Sequence, residues 1–174
     1  SDVCSSDLDS RQRALKKALG AENELSEEQI FLGNGADEAI DLLIRAFCEP
    51  GREKVITLPP TCNKYGALAE IHNVIVTEVP LNAGYQMLTD KILEATDEKT
   101  KLLFICSPND PTGNCQRGID IVEVAEQFDG IVVVDETYIE FSDGKSILPE
   151  LNNYPNLVVI QSFSKGWGYA GLRL

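Results

Sequence analysis

Apolar residues recur along the chain at two different spacings. Five short runs are apolar on both faces, as in buried strands, at residues 54–58, 74–81, 101–107, 130–136 and 156–162. Most of the segments between them have apolar residues at helical spacing, most clearly at 119–128. This alternation predicts an α/β fold, a three-layer sandwich in which helices cover both faces of a mostly parallel sheet.

Two further helices are predicted before the first strand. Residues 10–19 and 36–47 both repeat apolar side chains at helical spacing, and the second segment has the pattern of an amphipathic helix. The first eight residues, SDVCSSDL, are polar and have no periodicity. We interpret residues 1–8 as a disordered or artefactual tail, joined to a partial domain at residues 9–174.

The chain is strongly acidic. It has 15 Lys and Arg against 28 Asp and Glu, a formal net charge of −13. Such a charge repels nucleic acid and acidic membranes, so no partner of either kind is expected, and an anionic ligand needs local donors. No apolar run reaches the ~20 residues of a membrane span, and the N-terminus has no signal-peptide pattern. We therefore expect a cytoplasmic protein.

The cysteines and the histidine do not have the spacing of a metal site. The five cysteines form no C-x-x-C pair, and His72 is the one histidine. The spacing does not fit structural zinc, so no metal site is expected. His72 is interpreted as a helix-end residue.

Polar side chains follow three of the predicted strands. They are Asn109 and Asp110, then Asp135 and Tyr138, and then Ser162, Ser164 and Lys165. The carboxyl ends of parallel strands share one edge of a sheet, where open α/β sheets bind ligands. Each set alone also fits a turn, a helix cap or a solvated surface. Their joint occurrence favours a single site.

A glycine-containing turn begins the helix at 36–47. Gly35, Ala36 and Asp37 lie where a helix offers free N–H groups and the positive end of its dipole, which suits a phosphate. Glu38 breaks the G-x-G-x-x-G pattern, and the P-loop pattern is also not met. In isolation the turn is better explained as an ordinary helix start with an acidic first turn.

The polar residues near the C-terminal end of the chain suggest one cofactor. Lys165 offers an amine that can form a Schiff base, and the hydroxyls of Ser162 and Ser164 with the guanidinium of Arg173 suit a phosphate. Asp135 supplies a carboxylate for a ring nitrogen. Pyridoxal 5′-phosphate (PLP) needs all three kinds of group.

Four motifs in order resemble those of a known family. GNGADEAIDLLIRAF, SPNDPTGN, VVVDETYIEF and SFSKGWGYAGLRL are similar to motifs of the fold-type-I PLP-dependent aminotransferases, and most of all to those of histidinol-phosphate aminotransferases. The resemblance covers residues 9–174.

The resemblance implies a role for each site residue. Lys165 would carry the cofactor, Asp135 would pair with the pyridine nitrogen, and Tyr138 would hydrogen-bond the phenolic oxygen. The phosphate would be held by the turn at Gly35, the backbone of Ala36 and Asp37, the hydroxyls of Ser162 and Ser164, and Arg173.

Two positions depart from the family pattern. Asp110 stands where the family usually has an Asn that contacts the phenolic oxygen, and Asn109 precedes it. Because a carboxylate would repel a phenolate, Asp110 is expected either to be protonated or to turn away and leave this contact to Asn109. Cys62 stands where a ring-stacking Tyr is usual, and Tyr65 is the nearest aromatic residue.

The implied reaction transfers an amino group between histidinol phosphate or imidazole-acetol phosphate and 2-oxoglutarate or glutamate, in histidine biosynthesis. By the same resemblance the active protein is a homodimer with an N-terminal arm and a C-terminal small domain, so the 174 residues alone are expected to be inactive. The alternatives are an aromatic or aspartate aminotransferase, a phosphothreonine decarboxylase, a catalytically silent PLP-binding module, or a non-enzymatic α/β domain.

Overall fold

The structure, a computed structural model, describes residues 9–172. The predicted tail at 1–8 and the predicted phosphate ligand Arg173 lie outside these residues. The chain divides into two compact units, the first ending at Gly33 and the second beginning at Asn34.

The first unit contains the helix α1, Arg13–Asn23, and a short 3-10 turn, Glu27–Gln29. The carboxylate of Asp9 accepts hydrogen bonds from the backbone N–H groups of Arg11 and Arg13, at 3.1 and 3.0 Å. It thus satisfies donors that the start of a helix leaves unpaired. The helix begins three residues later than the predicted segment 10–19, because the turn at Asp9 occupies those positions.

The second unit is built on a five-stranded sheet. Its strands are β1 (Lys54–Thr57), β2 (Ile75–Glu78), β3 (Thr100–Cys106), β4 (Ile131–Asp135) and β5 (Leu157–Ile160). Their order is β2-β1-β3-β4-β5, and all neighbouring pairs are parallel. The predicted α/β fold with a parallel sheet is confirmed.

Four helices cover this sheet, two on each face. They are α2 (Ala36–Phe47), α3 (Lys64–Ile71), α4 (Thr89–Glu94) and α5 (Gly118–Gln127). Buried residues of α2 and α3 share one apolar cluster, and buried residues of α4 and α5 share the other. Shorter 3-10 segments lie at Ile139–Phe141, Leu148–Asn152 and Ala170–Leu172.

Side-chain alternation along the strands separates the two cores. In β3, Phe104 and Cys106 face α2 and α3, whereas Leu103 and Ile105 face the opposite layer. The same alternation at the end of β4 directs Asp135 toward the α3 layer and Glu136 toward the α4–α5 layer, as their hydrogen bonds show. No helix among residues 9–172 has the length and apolar character needed to cross a bilayer.

Candidate active site

The site predicted at the strand ends is built around Asp135, the last residue of β4. The backbone N–H of Ser107 donates to the carbonyl of Asp135 at 2.9 Å, and the N–H of Glu136 donates to that of Ile160 at 2.8 Å. These bonds align the carboxyl ends of β3, β4 and β5. The loops that carry the predicted residues therefore leave the sheet at one edge.

The Asp135 carboxylate is buried and held at both oxygens. Oδ2 accepts a hydrogen bond from the Tyr65 hydroxyl at 2.7 Å, and Oδ1 accepts one from the backbone N–H of Thr137 at 3.0 Å. Asp135 is only 6% exposed. Because an ionised carboxylate has about four acceptor positions, capacity remains for a ligand N–H group.

Tyr65, on α3, is a site residue whose role the sequence did not reveal. Its side chain is fully buried, and its ring stacks on Phe104 with centroids 4.9 Å apart and planes 3° apart. Burial, with the nearby charge of Asp135, raises the pKa of Tyr65 well above its ordinary value. The sequence offered Tyr65 only as an aromatic neighbour of Cys62, and no local pattern links it to a residue 70 positions away.

Lys165 lies in the loop after β5, close to Tyr138. Its ammonium nitrogen is 5.1 Å from the centroid of the Tyr138 ring, within the range of a cation–π contact. Lys165 is solvent-exposed, and Tyr138 is partly buried. In the same loop, the backbone N–H of Ser164 donates to the hydroxyl oxygen of Ser162 at 3.1 Å.

The loop is held from the neighbouring 3-10 segment, Ile139–Phe141. The Trp167 indole N–H donates to the Glu140 carboxylate at 2.9 Å, and a Cβ atom added to Gly166 would lie 2.5 Å from the Glu140 Cβ. Glycine at position 166 thus permits this close approach, directly after Lys165.

The buried carboxylate of Glu136 connects the ends of β4 and β5 to the following loop. It accepts hydrogen bonds from the Ser146 hydroxyl at 2.6 Å, the Ile147 N–H at 2.7 Å and the Gln161 amide at 3.0 Å. Glu136 is 2% exposed. These bonds fix the backbone on which Asp135 and Tyr138 stand.

Asn109 and Asp110 have different surroundings. The Asn109 side chain is buried. Its amide oxygen accepts from the Thr61 hydroxyl at 2.9 Å, and its amide nitrogen donates to the Pro60 carbonyl and to the Thr112 hydroxyl at 2.9 and 2.6 Å. Asp110 is partly exposed. The Asn109 side chain therefore joins the loops after β1 and β3, and the Asp110 side chain does not.

Cys62 lies within electrostatic reach of two carboxylates. Burial raises the pKa of its thiol, and the charges of Asp135 and Asp110 add to this effect. The raised pKa keeps the Cys62 thiol protonated near neutral pH, at the position where the family pattern has an aromatic ring. The cysteines that the structure describes are all free, and their neighbourhood contains no group of three potential metal ligands within residues 9–172.

The start of α2 presents the predicted phosphate turn. Gly35, the N-cap, has φ 82° and ψ 169°, a conformation that favours glycine. The Asp37 carboxylate pairs with the Lys64 ammonium at 2.6 and 2.7 Å, and this hydrogen bond raises the pKa of Lys64. The pair joins the start of α2 to the start of α3.

The structure is that of an α/β protein with a parallel sheet. A buried carboxylate, an amine and a helix start at the carboxyl edge of this sheet form a candidate ligand site. The family comparison is more specific. Residues 5–174 match the model of the family "Aminotransferase class I and II", and the chain belongs to this family.

Named relatives within the family are similar over nearly the whole chain. A histidinol-phosphate aminotransferase of Cytophaga hutchinsonii is 50% identical over 166 residues, which are 95% of this chain and 48% of the relative. The chain thus spans about half the length of the curated relatives it matches.

Solved structures show the same fold. The histidinol-phosphate aminotransferase of Clostridium acetobutylicum has a TM-score of 0.85 at 26% identity, covering 97% of this chain and 50% of that one. The enzyme of that name from Sinorhizobium meliloti, solved with pyridoxal 5′-phosphate, has a TM-score of 0.86 at 24% identity, covering 95% and 46%.

Proposed function

We propose that this chain forms the cofactor-binding part of a PLP-dependent histidinol-phosphate aminotransferase. The protein would exchange an amino group between histidinol phosphate or imidazole-acetol phosphate and 2-oxoglutarate or glutamate. The strongest support is the 50% identity to a protein of that name across 95% of the chain. A cytoplasmic homodimer, completed by an N-terminal arm and a C-terminal small domain, belongs to the same proposal.

The donor set fits PLP. A pyridine nitrogen needs an acceptor, and Asp135 retains acceptor capacity beside its bonds to Tyr65 and Thr137. A phosphate needs N–H groups and hydroxyls, which the helix start at Ala36 and Asp37 and the side chains of Ser162 and Ser164 would supply. Arg173 would add a guanidinium.

When bound, PLP withdraws electrons from the carbon that carries the amino group. The protein's part is to bind, orient and move protons. Asp135 would hold the ring nitrogen through a hydrogen bond, and Tyr138 would donate its hydroxyl hydrogen to the phenolic oxygen. Lys165 would hold the cofactor through its Nζ atom, and as a free amine it would accept the proton of the substrate carbon at the same atom.

The hydrogen bonds of Asn109 indicate whether Asn109 or Asp110 would lie beside the phenolic oxygen of PLP. Because the Asn109 amide is engaged by Thr61, Pro60 and Thr112, its turn toward the cofactor would break three hydrogen bonds. We therefore propose that Asn109 supports the cofactor only by fixing its loop. Of the two, Asp110 would then lie nearer to the phenolic oxygen than Asn109, and Cys62 would cover the ring.

A cofactor titration tests the proposal. The full-length protein should develop a visible absorbance band with PLP, and borohydride reduction followed by peptide mapping should locate the cofactor on Lys165. Lys165→Ala should abolish this fixation. Lys99→Ala, which removes an exposed lysine just before the amino-terminal end of β3 and so at the opposite edge of the sheet, is the matched control and should behave as the parent. Fixation of PLP on a lysine other than Lys165 would refute the assignment.

Substrate assays test the particular reaction. The kcat/KM with histidinol phosphate should exceed the values with aspartate and with aromatic amino acids by at least ~10²-fold. Those substrates have no phosphate, so the groups that bind the substrate phosphate would be left without a partner. A higher kcat/KM with aspartate or an aromatic amino acid would instead support one of those aminotransferases. Loss of CO₂ from phosphothreonine would support the decarboxylase.

A further inference from the structure

The hydroxyl of Tyr65 touches the one carboxylate assigned to the cofactor ring, although the mechanism above gives it no task. We infer that Tyr65 is a positioning residue, which fixes Asp135 and shares its negative charge so that the proton between Asp135 and a bound pyridine stays on the ring nitrogen. This inference rests on the proposed function, because it needs a pyridine cofactor at Asp135.

The hydrogen bond has the geometry that this role requires. The Tyr65 oxygen lies 2.7 Å from Oδ2 of Asp135, a short distance typical of a hydroxyl that donates to an ionised acceptor. Tyr65 is fully buried, and Asp135 is 6% exposed, so little solvent competes for the bond. In the described part of the chain, no other side chain donates to Asp135.

The packing around Tyr65 fixes the donor. Its ring stacks on Phe104 of β3, and both residues belong to the apolar cluster on the α2–α3 face of the sheet. The second carboxylate oxygen is held by the backbone N–H of Thr137 at 3.0 Å. With one donor on each oxygen, the carboxylate cannot rotate without breaking a hydrogen bond, and its open acceptor positions keep a fixed direction.

The groups around Tyr65 and Asp135 keep the phenol as the donor and the carboxylate as the acceptor. The pKa of Tyr65 is well above its ordinary value because of its burial and the charge of Asp135, so the phenol stays protonated. Cys106, beside Tyr65, is buried, which raises its pKa to about 12, and its thiol points to the Pro108 carbonyl at 3.3 Å. Cys62 is neutral as well, and Lys64 is paired with Asp37.

The decisive variant is Tyr65→Phe in the full-length protein. It keeps the ring that stacks on Phe104 and removes only the hydroxyl. Loss of a hydrogen bond to a charged group should change the equilibrium between a proton on the ring nitrogen and a proton on the Asp135 carboxylate by about 10-fold or more, in favour of the carboxylate. The resonance of PLP labelled with ¹⁵N in its ring should therefore shift toward that of an unprotonated pyridine, and PLP affinity should fall about 10-fold.

A cofactor analogue separates positioning from simple packing. Deaza-PLP keeps the aldehyde and phosphate of PLP and has carbon in place of the ring nitrogen, so its affinity should be the same for Tyr65→Phe and the parent protein. Tyr154→Phe is the matched control. It removes a hydroxyl that donates to another carboxylate, that of Glu126 at 3.1 Å, remote from the site, and should change neither affinity nor the ¹⁵N resonance.

A second variant keeps the test valid if Tyr65→Phe does not fold. Placing 3-fluorotyrosine at position 65 keeps the hydroxyl and makes it a stronger donor, so the ¹⁵N resonance should shift in the opposite direction. Equal loss of affinity for PLP and deaza-PLP, or a ¹⁵N resonance that neither variant moves, would overturn the inference. Failure of the parent protein to bind either compound would overturn the proposed function itself.

Discussion

Asp110 places a second acidic side chain near the edge where Asp135 lies. The charges of Asp110 and of Asp135 both raise the pKa of Cys62, so the three side chains lie near one another. An ionised carboxylate near the phenolic oxygen of PLP would raise the free energy of the bound state, because like charges repel more strongly where solvent is partly excluded.

We predict that Asp110→Asn strengthens the binding of PLP by about 10-fold, since it removes this repulsion and supplies an amide donor. The dissociation constant from a visible-absorbance titration measures the effect. Asp143→Asn removes the same charge from an exposed loop and should leave the constant unchanged. If Asp110→Asn binds PLP more weakly than the parent, Asp110 itself makes a favourable contact with the cofactor.

The loop that carries Lys165 depends on its packing against the 3-10 segment Ile139–Phe141. Gly166 allows the loop to lie against the aliphatic part of Glu140, and Trp167 then reaches the Glu140 carboxylate. Position 166 follows Lys165 directly, so a displacement there moves the backbone of the lysine.

Gly166→Ala should therefore reduce the fixation of PLP on Lys165. A Cβ atom 2.5 Å from the Glu140 Cβ forces the loop away, at a cost of about 1–3 kcal/mol. We expect about a 10-fold slower formation of the borohydride-reducible product, measured by peptide mapping over time. Gly171→Ala is the control, because a Cβ there meets no atom within 4 Å. Equal rates for both variants would contradict the role given to Gly166.

The second unit has two apolar cores that share the central strands. Leu102, Phe104 and Cys106 belong to one core, and Leu103 and Ile105 belong to the other, so β3 is covered on both faces. β2 lies at the end of the strand order, and the Ile75 side chain is 49% exposed. Stability against local opening should therefore be highest in β3 and lower in β2.

Amide hydrogen exchange measures this difference. The amides of β3 should exchange at least ~10²-fold more slowly than those of β2, because opening β3 requires both cores to separate. Peptides that cover residues 75–78 and 100–106 can be compared in a single mass-spectrometry experiment. Equal protection of the two strands would show that the unit opens as a whole.

The elements differ in how far the sequence predicted them. The bounds of α2 were predicted as found, since its apolar stripe is long enough to show a helical period. The five strands were found at the predicted places. Four are shorter than their apolar runs, because hydrogen bonding ends before the apolar side chains do, and β3 keeps the predicted length but begins one residue earlier. α3 and α4, with eight and six residues, were not individually predicted, because so few turns hardly show a period.

The apolar runs and the spacing of polar residues were enough to predict a parallel α/β sheet and a group of polar residues at its strand ends, because both depend on local periodicity. Tertiary contacts decided the rest. The Tyr65 ring stacks on Phe104, and its hydroxyl meets Asp135 across 70 positions; the Asn109 amide bonds to Thr61 in the loop after β1. Contacts of this kind depend on how two layers pack against each other, and no local pattern of residues encodes that geometry.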